Sequence, residues 1–288
     1  MVASVQPFFH RDSSTWTYVV AEADGSAAAI IDPVLDFDAK SGRTATASAE
    51  ALLAFVREHG LDVQWILETH AHADHLSAGD WLRRQLPGAR LAIGDGIRTV
   101  QQTFAPIFNL DAGFAIDGSQ FDHLWQADET FAVGALPARV LGVPGHTDDS
   151  SAYLIGDALF TGDSLFMPDS GTARCDFPGG SAATLYRSIQ NMYRLPDSTR
   201  VFVCHDYGAG GSREVACETT IGAQKQGNIH VRADTGEAEF VQLREARDAE
   251  LSVPALMLPA VQVNIRAGAL PPAEDNGMRY LKLPLNQF

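Results

Sequence analysis

The seven residues Thr69-His70-Ala71-His72-Ala73-Asp74-His75 constrain this chain more than any other stretch. Four metal-capable side chains fall within six residues, directly after the apolar run that ends at Leu67. A regular helix or strand would spread them over several faces, whereas a loop at a strand end lets them converge. The whole chain holds only 9 histidines, so three in one heptapeptide exceeds what a solvated polar loop requires. The chemistry such a cluster serves is metal binding.

Three later places repeat the pattern of a metal-capable side chain at the end of a strand-like run. Gly142-Val143-Pro144-Gly145-His146-Thr147 sets one histidine on a Gly/Pro turn, and Phe160-Thr161-Gly162-Asp163-Ser164 ends an apolar run on an aspartate. Val201-Phe202-Val203-Cys204-His205-Asp206 does the same for a histidine. Singly, each is the kind of polar residue that loops often carry; together they extend the first cluster. Imidazole and carboxylate donors suit zinc, iron or manganese. Two chemistries stay open at this point. Two metals would activate water for hydrolysis, and one ferrous iron held by two histidines and a carboxylate would serve an oxygenase.

The surrounding pattern predicts a mixed α/β fold. Residues 17–21 and 28–31 read as strands about the turn Asp24-Gly25, and 48–59 as a helix capped by Ser48 and stopped by Gly60. Strands are predicted over 63–67, 90–93, 138–141, 151–155, 158–160 and 200–203, and helices over 78–86 and 181–193. Residues 213–249 read as mostly helical, and from Val253 the chain is Pro-rich with short strand-like pieces. This order suggests two sheets with helices outside, in four layers. The expectation is one domain over 1–288, with 253–288 a short irregular C-terminal extension.

A formal net charge of −15 argues against nucleic acid as a partner, since phosphate binding needs clustered Lys and Arg. The three cysteines, Cys175, Cys204 and Cys217, form no CxxC pair and no disulfide framework, which fits a reducing compartment. Neither a signal-peptide pattern nor an apolar run of the ~20 residues that span a bilayer is visible, so a soluble cytoplasmic enzyme without membrane contact is expected.

The HxHxDH, His, Asp, His series at His70 to His75, His146, Asp163 and His205 resembles the metallo-β-lactamase superfamily, whose fold is a four-layer αββα sandwich. Nearly end to end, the chain resembles the glutathione persulfide dioxygenases (sulfur dioxygenases) of that superfamily. The metal motifs, the segment Asp169-Ser170-Gly171-Thr172-Ala173-Arg174-Cys175-Asp176-Phe177 and the tail Val261-Gln262-Val263-Asn264-Ile265-Arg266 carry the resemblance. It implies one Fe(II) per chain on His70, His146 and Asp163, with His72, Asp74, His75 and His205 around it or at a vacant second site. The implied reaction, a step of sulfide oxidation, turns glutathione persulfide and O2 into sulfite and glutathione. It makes Arg174, Tyr207 and Lys225 candidates for holding the substrate's anionic groups, and it leaves a homodimer open. Asn264 and Arg266 are expected to brace the tail. Two alternatives stand beside this: a dinuclear zinc hydroxyacylglutathione hydrolase, which shares every metal residue, and a non-catalytic member of the fold that binds a thiol metabolite.

Overall fold

Ala27–Ile31 is apolar at every position, and all five residues are buried, as a strand covered on both faces must be. The structure is a computed structural model describing residues 1–23 and 25–287. In that strand Ala28 and Ile30 enter one core, whereas Ala27, Ala29 and Ile31 enter another. Val19 and Ala21 part from Tyr18 and Val20 in the same way. In a second sheet Leu159 parts from Ala158 and Phe160, and Val201 from Phe202. Period-two alternation thus sorts the apolar residues into three cores: one between two sheets and one outside each. That is the αββα sandwich.

The first sheet orders its strands as Ala3–His10, Thr15–Glu22, Ala27–Ile31, Asp62–Leu67, Arg90–Gly94 and His123–Trp125. The last three join it in parallel. The second orders Thr130–Val133, Leu136–Gly142, Ser151–Ile155, Ala158–Phe160, Arg200–Phe202 and Glu218–Thr220, with one parallel pairing, between Ala158–Phe160 and Arg200–Phe202. A three-stranded ribbon of Arg43–Ala45, Val34–Asp38 and Leu76–Ser77 lies beside them. Helices Ala47–Glu58, Gly79–Gln85, Ile97–Ile107 and Met257–Asn264 contribute to the core outside the first sheet; Ala182–Met192 and Glu237–Asp248 do so for the second. None of the described helices is long and apolar enough to cross a membrane.

Most predicted elements lie within a residue or two of their places, and the departures have physical causes. Ser48 does not cap its helix. It sits in the first turn, where the Asp36 carboxylate takes both its N–H (3.0 Å) and its hydroxyl (2.7 Å), and Thr46 occupies the cap position. Residues 213–249 contain the strand Glu218–Thr220 between loop and helix. Part of the predicted turn, Asp24, lies outside the described residues. The tail differs most: residues 257–264 form a helix, not strand-like pieces. Pro259 falls in its first turn, where a missing N–H costs no hydrogen bond, and burial of Val261 and Val263 outweighs their strand propensity.

The tail helix is therefore part of the core. Ile265, fully buried, should cost about 2–5 kcal/mol on truncation to Ala, whereas Leu285→Ala, 73% exposed, should stay within about 0.5 kcal/mol. Urea unfolding of the two variants checks this; an Ile265→Ala loss no larger than that of Leu285→Ala would make the segment an appendage.

Candidate metal centre and adjoining pocket

The predicted donors all follow strands that end at one rim of the sandwich. His70 to His75 follow Asp62–Leu67, His146 follows Leu136–Gly142, Asp163 follows Ala158–Phe160 and His205 follows Arg200–Phe202. Backbone bonds tie these loops together: Ser151 N–H donates to the Thr69 carbonyl at 2.8 Å, and Thr161 N–H to that of Phe202 at 3.1 Å. Close approach needs glycine at one point. Gly162 has φ +51°, and a Cβ there would stand 2.7 Å from Thr69 Oγ1, so a side chain would push the Asp163 turn off the histidine loop.

Hydrogen bonding sets the imidazole tautomers, and it leaves the same nitrogen free in four of them. His146 Nδ1–H donates to the Arg174 carbonyl (2.7 Å), His205 Nδ1–H to that of Ser14 (3.2 Å) and His75 Nδ1–H to that of Leu76 (3.2 Å). His70 Nδ1–H donates to Thr69 Oγ1 (3.0 Å), whose own proton goes to Asp32 (2.9 Å). Nε2 of His70, His75 and His205 is then a buried lone pair with no hydrogen-bond partner. His72 is reversed: its Nε2 meets Asp32 Oδ1 at 3.0 Å, and its buried Nδ1 has no partner. A second nitrogen tied to a carbonyl or carboxylate is how metal-binding histidines are oriented.

The free atoms gather in groups of coordination size. His70, His146 and Asp163 place donor atoms within 4.8 Å of one another, and so do Asp74, Asp163 and His205. Asp163 Oδ2 lies 4.0 Å from His70 Nε2 and 3.6 Å from His146 Nε2. Ligands about 2.0–2.2 Å from a common ion come to about that mutual spacing. His205 Nε2 faces Asp74 at 3.1 Å and Asp163 at 3.3 Å, so acceptors face acceptors and a cation reconciles them. The residues fit a metal ion. His72 also shares a group with Asp74 and His75, so its place as a bystander to the metal does not follow from the geometry.

Electrostatics agree. Burial and the neighbouring imidazoles push His70 well below its usual range, which keeps it neutral as a ligand must be. Burial also pushes His75 down, to about 3. Burial would lower His205, but Asp163 and Asp74 outweigh it and raise its affinity for a proton, so metal and proton compete there. Burial alone would raise Asp32, yet His72 and the Thr69 donors hold it low. Burial pushes Cys204, beside His205, well up, so a neutral thiol is no strong ligand.

A cavity of about 400 Å³ opens onto this centre, lined by Asp74, His146 and Asp163 and by Phe166, Phe177 and Leu251 among others. Of the candidate substrate residues, Arg174 and Tyr207 line it and Lys225 does not: Lys225 Nζ pairs with Asp197 at 2.6 Å, at the end of its own helix. Arg174 is already engaged, by Asp176 at 2.6 Å through two nitrogens and by the Ser252 carbonyl. Sequence reasoning did not find Asp32, nor His230, Arg244 and Arg247, which also line the cavity. An aspartate directly after the all-apolar strand was the available signal for Asp32. The other three lie on segments with no motif. Asn264 braces the metal loop as well as the tail: its Nδ2 donates to the carbonyls of His72 (2.7 Å) and His75 (2.8 Å), and its Oδ1 accepts from Ser77 N–H (2.8 Å).

The chain matches the family described as the Metallo-beta-lactamase superfamily over residues 10–205. It is 46% identical to Glyoxylase B2 of Dictyostelium discoideum, over 99% of this chain and 97% of that one. It is 27% identical to the mitochondrial Persulfide dioxygenase ETHE1 of Bos taurus, over 93% of this chain and 90% of that protein. The crystal structure of ETHE1 from Myxococcus xanthus superposes with a TM-score of 0.73 at 31% identity, covering 93% of this chain and all of that one.

Asn264→Ala should leave two carbonyls and one N–H buried without partners, a cost on the order of 3 kcal/mol. It should also weaken metal affinity about 10- to 100-fold by loosening the loop. Denaturant unfolding and competition with a chelator measure the two; unchanged metal affinity would remove Asn264 from the support of the centre.

Proposed function

The chain belongs to the metallo-beta-lactamase superfamily, and within it we propose that it is a persulfide dioxygenase with one Fe(II) on His70, His146 and Asp163. The observation that carries this reading is the two-histidine, one-carboxylate group, open toward an arginine-bearing cavity. A likeness to ETHE1 from Myxococcus xanthus along nearly the whole chain supports it. The balanced reaction takes glutathione persulfide, O2 and water to sulfite, glutathione and two protons. When bound, ferrous iron would supply open positions for sulfur and O2 and the redox chemistry that zinc lacks.

The chain's own residues do the rest. Thr69, Arg174 and Ser14 hold His70, His146 and His205 in the tautomer that aims Nε2 inward. Phe177, whose ring lies 5.3 Å from that of His146, and Phe166 keep water from the thiol end of the cavity. The arginine-bearing wall of the cavity suits an anionic group of a glutathione-type substrate.

A second reading, a dinuclear zinc thioesterase acting on acylated glutathione, is favoured by the group Asp74, Asp163 and His205 and by the similarity to Glyoxylase B2. Oxygen separates the two. The iron reading expects O2 uptake and sulfite with glutathione persulfide, activity lost under anaerobic conditions, and poor hydrolysis of S-lactoylglutathione. Thioester turnover matching the persulfide rate, unchanged without O2, would establish the second reading. Under the first, His70→Ala, His146→Ala and Asp163→Ala lose the bound iron, while His205→Ala keeps it and is slower; elemental analysis beside the oxygen assay reports both.

A further inference from the structure

Three arginines line the cavity, and two are already neutralised. Arg174 is paired with Asp176, and Arg244, buried on Glu237–Asp248, is paired with Asp248 at 2.7 Å. Arg247, one turn from Arg244 on the same helix, is exposed, and its guanidinium has no hydrogen bond or ion pair among the described residues. Against Asp176 and Asp248, these three arginines leave one unpaired positive charge in the cavity wall, that of Arg247.

His230 lies in the same cavity wall and is buried, 5% exposed. Its Nδ1 accepts the Thr172 backbone N–H at 3.0 Å and faces Arg244 Nη1 at 3.4 Å, so that nitrogen carries no proton. The proton of the neutral ring is on Nε2, which has no partner although it is buried. Burial, with Arg244 and Arg247 adding to it, pushes the ring down to about 4 and keeps it neutral. The seat is specific: Gly171 has φ +87°, and a Cβ there would stand 2.1 Å from His230 Nδ1. A buried N–H donor left without an acceptor costs free energy that a ligand recovers.

We propose that His230 Nε2–H and the Arg247 guanidinium together receive one carboxylate of the substrate, in the cavity that opens onto the metal donors. One net charge and one neutral donor match a carboxylate monoanion better than a phosphate dianion. Phe177, Leu251 and Pro254 supply apolar wall for the carbon chain between that carboxylate and the reacting sulfur. Arg174, expected from sequence to hold an anionic group, then acts mainly through its backbone, its carbonyl fixing His146 and its side chain closing the loop at Ser252.

The inference rests on the glutathione reading, and its test separates the two. The probes are glutathione and its diethyl ester, titrated calorimetrically into metal-loaded wild type, Arg247→Ala, His230→Phe and His230→Gln, with melting temperature as the folding control. Arg247→Ala and His230→Phe should each weaken glutathione binding about tenfold to hundredfold. His230→Gln, which keeps a donor near the Nε2 position, should recover most of the loss. For the ester, Arg247→Ala should change nothing. If Arg247→Ala binds glutathione as wild type does, or loses the ester equally, the assignment is wrong while the glutathione reading stands. If wild type binds neither probe, the glutathione reading falls and this assignment with it.

Discussion

The Asp32 carboxylate holds the metal loop to the fold. It sits at the end of the buried strand Ala27–Ile31, in a left-handed backbone conformation (φ +49°) that aspartate tolerates better than most residues. Its oxygens take the Thr69 N–H at 2.7 Å, the Thr69 hydroxyl and the His72 ring. Through Thr69 it reaches His70, so one buried carboxylate orients two imidazoles at once. Burying that charge is costly, and His72 and the Thr69 donors offset the cost. With Asn264 on the loop's carbonyls and Asp149 Oδ2 accepting from Ala71 N–H at 2.7 Å, the segment from Thr69 to Ser77 is fixed from three directions.

That fixation prepares the centre for a cation. Buried nitrogens and oxygens without partners, held at distances where acceptors repel, are expensive to fold unless something positive binds among them. The free energy of metal binding is then partly the free energy of the loops. The cavity beside the centre carries a different kind of unfilled capacity, one cation and one neutral donor. Under the proposed reading, the ligand carries a reactive sulfur toward the metal donors and a carboxylate toward Arg247 and His230.

The sequence made the metal residues legible because metal chemistry admits few side chains, and all seven candidates lie at the one rim. The sheets were legible because a sheet covered on both sides writes continuous apolar runs, as in Ala27–Ile31 and Ala158–Phe160. Met257–Asn264 was not, since its β-branched residues and proline point to strand or loop until the core that buries them is known. Lys225 and Arg247 show the limit for charges. Both are cations on helices, and only tertiary placement tells that one is spent on Asp197 while the other faces the cavity. Asp32 fell between these cases, a lone carboxylate whose partners lie 37 and 40 residues away.

X-ray absorption at the metal edge on the purified, anaerobic protein separates a single ion held by His70, His146 and Asp163 from a dinuclear centre. A single ferrous ion gives an iron edge and a first shell of oxygen and nitrogen with imidazole scattering. It gives no metal–metal contribution, and the iron signal is lost in Asp163→Ala. A zinc edge with a metal–metal vector of about 3.5 Å would overturn the single-ion assignment and place a dinuclear hydrolytic centre in the same loops.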